Sequence, residues 1–187
     1  MRSDLKVPPL VKSIKDNGRK MVVVTTHRRE SFGSPLEQIF FALKTLAERN
    51  PNLSIVFPIH PNPAVKKLAA KMISGIQNIL IFEPLNYPDC LNLISHSDLI
   101  MTDSGGLQEE APALGKYTLV LRETTERPEA IEAGMVELVG SDSNKIIEQT
   151  EAALNKLSEF GTKQFPFGTG DSGEKIAAIL SNYLGKS

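Results

Sequence analysis

Only one cysteine, Cys90, occurs in the 187 residues of the chain. An intrachain disulfide and a cysteine-based metal cluster are therefore excluded, and a reducing, cytoplasmic setting is expected. Tryptophan is absent and aromatic residues make up 6% of the chain, too few for the stacking platforms that hold single-stranded nucleic acid. Neither sign of charge dominates, with 21 basic residues against 22 acidic ones. Nothing pulls the chain as a whole toward nucleic acid or an acidic membrane. No apolar run approaches the roughly 20 residues that span a bilayer, and the amino terminus lacks the apolar stretch of a signal peptide. The motif GxxxxGK[ST] is missing, so no P-loop is present. The three histidines, His27, His60 and His96, show no metal-ligand spacing.

What is present has the composition of one ordinary domain, 41% hydrophobic and 23% charged. Short apolar or β-branched runs begin at Met21, Leu53, Asn78, Asp98 and Tyr117, and helical patterns over 34–50, 63–74, 87–95 and 106–114 separate them. Unbroken apolar strands alternating with helices predict an α/β fold, a Rossmann-like doubly wound parallel sheet covered on both faces. Ser34, Pro35 and Glu37 read as a capping box with proline at the first helical position. After Leu121 come a polar loop, the short run MVELVG, a helix from Asn144 to about Leu157, and a last amphipathic helix over 174–184. The expected organisation is a basic, solvated lead-in over 1–20, one Rossmann-like domain over 21–160, and a loop with a final helix over 161–187.

In an open parallel sheet, ligands bind beyond the carboxyl ends of the strands, and the chemically distinctive loops of this chain follow strands. In TDSGGLQEEAP, from Thr102 to Pro112, the pair Gly105 and Gly106 lets backbone approach a diphosphate. The N–H groups of the next helix would face its charge, and Ser104 adds a hydroxyl. Glu109 or Glu110 then lies within reach of a ribose diol, the other serving the helix dipole, and Asp103 reads as a cap. In TTHRRE, His27 can donate a proton or a hydrogen bond to phosphate while Arg28 and Arg29 hold its oxygens; a solvated turn is the alternative. Two prolines fix the backbone around His60. In RETTERPE, Arg122, Thr125, Glu126 and Arg127 offer phosphate donors and a carboxylate, or simply a salt-bridged loop. His96, at a polar helix end, reads as structural.

Taken in order, HRRES, FPIHPNP, EPLNYPDCLNLI, TDSGGLQEEAPALGK and LRETTERPEA resemble the non-hydrolysing UDP-N-acetylglucosamine 2-epimerases over about Met21 to Gly140. The resemblance implies the C-terminal, UDP-binding half of a two-domain, glycosyltransferase-B-type architecture that needs no cofactor. It implies reversible inversion at the sugar C2 by elimination of UDP to a 2-acetamidoglucal and re-addition to the other face. On this resemblance Ser104, Gly105 and Gly106 hold the diphosphate, Glu110 the ribose hydroxyls, and backbone around Cys90 the uracil. His27 assists the departing UDP. Arg127 belongs to the cleft wall, and Arg28, Glu30 and His60 touch a second, allosteric UDP-N-acetylglucosamine.

The segment QFPFGTGDSGEKIA resembles the family's NPYGDG turn before its crossover helix, with Phe165, Phe167 and Thr169 replacing Asn, Tyr and Asp. Cys90, Ser31 and Glu123 stand where the family usually has phenylalanine, asparagine and aspartate. The family's acid and base carboxylates belong to the N-terminal domain and have no counterpart in these residues, so the chain alone is expected to be inactive. The expected partners are UDP or UDP-N-acetylglucosamine, with an N-terminal epimerase domain or a homo-oligomer, and neither nucleic acid nor membrane. The competing readings are a non-catalytic UDP-sugar-binding module and the donor domain of a UDP-sugar glycosyltransferase.

Overall fold

In the computed structural model, residues 9–28, 32–160 and 165–185 are described. The apolar runs form β1 (Lys20–Thr25), β2 (Leu53–Pro58), β3 (Ile79–Phe82), β4 (Leu99–Thr102), β5 (Thr118–Val120) and β6 (Val136–Leu138). All pair in parallel, in the order β3-β2-β1-β4-β5-β6. The helices are α1 (Pro9–Asp16), α2 (Ser34–Arg49), α3 (Pro63–Met72), α4 (Tyr87–His96), α5 (Leu107–Ala113), α6 (Pro128–Glu132), α7 (Ser143–Asn155), α8 (Leu157–Phe160) and α9 (Ser172–Leu184). Among the described residues no helix is long and apolar enough to cross a membrane.

Both faces of the sheet are covered, which is why its central strands are apolar at successive positions. Val22 and Val24 of β1 join Ile55 and Phe57 of β2 in a cluster with Ile39, Phe40 and Leu43 of α2 and Ile146 of α7. Phe40 meets Phe57 edge-to-face, their ring centres 5.8 Å apart. Met21, Val23 and Val56 pack on the other face against Leu93 and Ile94 of α4.

Two local expectations are corrected. The lead-in is not merely solvated: α1 buries Val11 and Ile14 in the second cluster. A three-residue spacing puts both on one side of a helical turn. The capping box does not form, because Gly33, with φ of +85°, takes the cap position and shifts the register by one residue. Its carbonyl accepts the Glu37 N–H at 3.1 Å.

The connections from β1 to β2 to β3 run one way across the sheet, and β4 returns to the far side of β1. Ligands in such sheets bind where the winding direction reverses. The loops after β1 and β4 therefore flank the favoured crevice. At the other extreme of the chain, α9 buries none of its residues. Its apolar side chains Ile176, Ile179, Leu180, Tyr183 and Leu184 recur at helical spacing and are 52–78% exposed.

Candidate functional site

The two loops at the reversal point are joined by Asp103, which is fully buried. Its carboxylate accepts the backbone N–H groups of His27 and Arg28, each at 3.0 Å. The ring nitrogen His27 Nδ1 also lies 3.0 Å from Oδ1. Asp103 is thus not the expected helix cap. Helix α5 starts at Leu107 behind Gly106 and has no side-chain cap. Its early N–H groups are already used, since Gln108 donates to the Gly105 carbonyl and Glu109 and Glu110 to that of Gly106, at 3.0–3.3 Å. A buried carboxylate needs donors, and the loop after β1 supplies them.

The pair perturbs both groups. The hydrogen bond to Asp103 raises the His27 pKa above its ordinary 6.5, against partial burial and the Arg28 charge, which lower it. Burial pushes the Asp103 carboxyl up, but the hydrogen bonds from His27 and from the Arg28 N–H outweigh it and hold it below 3.8. The His27 side chain is nonetheless 46% exposed.

The turn at Ser104 to Gly106 is held by hydroxyls. Thr25 Oγ1 and Thr102 Oγ1 are 2.6 Å apart, and Thr102 Oγ1 accepts the Ser104 N–H at 2.9 Å. Neither glycine of the turn is required by the protein's own packing. A Cβ on Gly106 would meet nothing within 4 Å, and one on Gly105 only Arg28 Nη2 at 3.4 Å. Neither has positive φ.

The next residues tie this turn to the loop after β5. Gln108 is fully buried. Its amide donates to the Ser104 carbonyl at 3.2 Å and accepts a short hydrogen bond from the Thr125 hydroxyl. Thr125 in turn accepts the Arg127 N–H at 3.0 Å. The two glutamates have different partners, Glu109 an ion pair with Arg127 and Glu110 the phenol of Tyr87 at 3.1 Å. Arg122 grips Glu126 through both terminal nitrogens at 2.8 and 2.9 Å, which pulls that carboxyl down to about 2. Both arginines of this loop are thus ion-paired.

Cys90 lies inside α4 rather than on a loop, its N–H taken by the Asn86 carbonyl at 2.9 Å. Burial and the nearby Glu110 carboxylate push its thiol pKa up. His60, beyond β2, accepts the Asn62 N–H on Nδ1 at 3.2 Å. Arg28 overhangs Gly105. Glu30 and Arg29 fall outside the described residues. A separate groove of about 600 Å³ opens at the amino ends of β1 and β2, lined by Gly18, Lys20, Asn50 and Glu151. It is at the wrong end of a parallel sheet for ligand binding.

The family model described as UDP-N-acetylglucosamine 2-epimerase matches residues 3–181. The chain belongs to this family. It is 45% identical over 168 residues to the UDP-N-acetylglucosamine 2-epimerase of Salmonella typhimurium, covering 88% of this chain and 45% of that protein. To the Campylobacter jejuni enzyme it is 48% identical over 170 residues, 89% of this chain and 44% of the relative. Two solved structures of similar proteins carry ligands. The S. aureus MnaA–UDP complex superposes with a TM-score of 0.90 at 34% identity, covering 98% of this chain and 51% of the other. The Neisseria meningitidis UDP-GlcNAc 2-epimerase bound to UDP-GlcNAc gives 0.83 at 37% identity, covering 95% and 50%. This epimerase-family chain therefore spans about half the length of the relatives it matches, corresponding to their C-terminal half.

Of the residues that tie the family motifs together, Gln108 and Tyr87 carry no assigned role in the sequence reading, and Asp103 carries only that of a cap. Asp103 and His27 are 76 positions apart, so nothing local announces their contact. Gln108 sits between glycines and glutamates, with nothing local to mark the Ser104 carbonyl and the Thr125 hydroxyl as its partners. Tyr87 starts a helix, and only the fold brings its hydroxyl to Glu110.

Proposed function

We propose that the chain is the UDP-holding half of a UDP-N-acetylglucosamine 2-epimerase, active when joined by an N-terminal domain that brings the proton-transferring carboxylates. Ser104, Gly105 and Gly106 then take the diphosphate, Glu110 the ribose hydroxyls, and the α4 segment at Cys90 the uracil. His27 stands by the departing phosphate, where negative charge accumulates as the bond to the sugar breaks. Arg127 forms part of the cleft wall, and Arg28, Glu30 and His60 are assigned to a second UDP-N-acetylglucosamine. The reaction is elimination of UDP and its return to the opposite face of the glycal, in a reducing, cytoplasmic setting.

The observation that carries this reading is the glycine pair. Two residues without side chains stand where the protein itself leaves room for a Cβ, in the loop after β4 at the reversal of the sheet. Empty space of that kind suits backbone that a phosphate must approach closely. A partner domain is supported by the bare apolar face of α9, which the division into a domain over 21–160 and a final loop and helix over 161–187 would place at the domain junction. A homo-oligomer would cover the same face.

Calorimetric titration of the purified chain with UDP tests the reading. Saturable binding is expected, and a folded chain that takes up no UDP would overturn it. Proton exchange at the sugar C2 in deuterated water tests the need for a second domain. No exchange is expected from the chain alone, and turnover would refute that requirement.

A further inference from the structure

His27 and Asp103 form a geometry that goes beyond the motifs. A fully buried carboxylate holds the loop after β1 by both backbone N–H groups and by the near edge of the imidazole. If Nδ1 carries the proton donated to Asp103, the far nitrogen, Nε2, is a bare acceptor in the neutral ring and a donor only in the imidazolium. An anion at the diphosphate turn would repel the first form and bind the second.

We propose that Asp103 is a positioning residue that fixes the Nδ1–H tautomer of His27, so that Nε2 meets the diphosphate of a bound nucleotide sugar only as a charged donor. This rests on the reading of the turn as a UDP site. The carboxylate acts through His27 and touches no ligand itself. Its backbone bonds set where the ring stands, and its bond to the ring sets which nitrogen faces out. Among the described residues, the charged groups acting on His27 are Asp103, from the end of β4, and its neighbour Arg28. Asp103 favours the charged ring and Arg28 opposes it.

The consequence is a binding affinity that follows the protonation of one histidine. UDP-N-acetylglucosamine is the suitable probe, because its diphosphate is esterified at both ends and does not titrate near neutrality, whereas the terminal phosphate of UDP does. Between about pH 5.5 and about pH 8.5 its affinity for the chain should weaken by at least about tenfold, the difference between a charged donor and a ring whose outward nitrogen can only accept. Asp103→Asn keeps an oxygen for the backbone N–H groups but turns an amide N–H toward Nδ1. That stabilises the neutral ring with Nε2–H outward, so the His27 pKa falls and the affinity step flattens.

Nuclear magnetic resonance of the three imidazoles reads the tautomer and pKa of His27 directly. In the unsubstituted chain at alkaline pH, a proton on Nδ1 is expected, and one on Nε2 would overturn the proposal even if Asp103→Asn failed to fold. An unchanged His27 pKa in Asp103→Asn would also overturn it. So would an affinity step that persists unmoved after the pKa has fallen. If the unsubstituted chain bound the nucleotide sugar at no pH, the UDP reading would fall and with it the presentation of Nε2 to a ligand, while the tautomer would still be judged by resonance alone.

Discussion

The phenol of Tyr87 donates a hydrogen bond to Glu110 Oε1 at 3.1 Å, at the carboxylate proposed to take the ribose hydroxyls. The carboxylate is thus accessible from outside and already used as an acceptor. Glu110→Ala should weaken UDP binding by about 1.5 to 3 kcal/mol, the worth of hydrogen bonds to an ionised group. Glu109→Ala should remove the partner of Arg127 instead and leave the ribose contact in place. Calorimetry on the two variants separates them, and equal losses would mean that the ribose assignment is wrong.

Gly106 separates binding from stability. Its backbone, at φ −64° and ψ −40°, is one any residue adopts, and a Cβ there has open space. Gly106→Ala should therefore change unfolding free energy by less than about 1 kcal/mol. It should nevertheless reduce UDP affinity at least tenfold, because the methyl would occupy the approach to the backbone. Urea unfolding and calorimetry on one preparation give both numbers.

Gly140 should behave in the opposite way. Its φ is +66°, and a Cβ would run into the Glu123 carboxylate, with Cδ only 2.9 Å away. Gly140→Ala should cost about 1 to 2 kcal/mol of stability for the left-handed backbone alone. UDP affinity of the folded fraction should be retained. The urea midpoint is the relevant measurement.

The pair of His27 and Asp103 makes stability depend on pH from two sides. His27 has a raised pKa, so its contribution is complete below its ordinary 6.5 and is lost as pH rises through the folded value. Asp103 has a lowered one, so its contribution is complete above 3.8 and is lost as pH falls through the folded value. The unfolding free-energy gap between the unsubstituted chain and His27→Gln should thus be widest near about pH 5 and shrink on either side. Urea titrations across pH would show it, and a gap that widens at alkaline pH would contradict the geometry.

Much of the architecture was legible because buried parallel strands have no polar face to interrupt them. Met21 to Val24 and Leu53 to Phe57 are almost wholly enclosed, so their runs are unbroken in the sequence. Strand order was not legible, since β4 pairs with β1 across more than three intervening elements. The residues that depend on this pairing were missed or misread for the same reason. Asp103 stands before a helix, where an acidic residue ordinarily caps, yet its carboxylate turns toward a loop that only the β1–β4 pairing brings near. Val11 and Ile14 lie among lysines, and their burial follows from a sheet face that the local charge conceals. At Ser34 the cap signals were present, but a glycine able to adopt positive φ stood one place earlier and took the position.

Helix α9 has 13 residues and buries none of them. Isolated helices of that length are marginal in water, because few hydrogen bonds follow the costly first turn. Its backbone should exchange amide hydrogen for deuterium almost as fast as an unfolded peptide, while the sheet remains protected. Slow exchange would then register occupancy of its apolar face, residue by residue, without any need to identify the occupant beforehand.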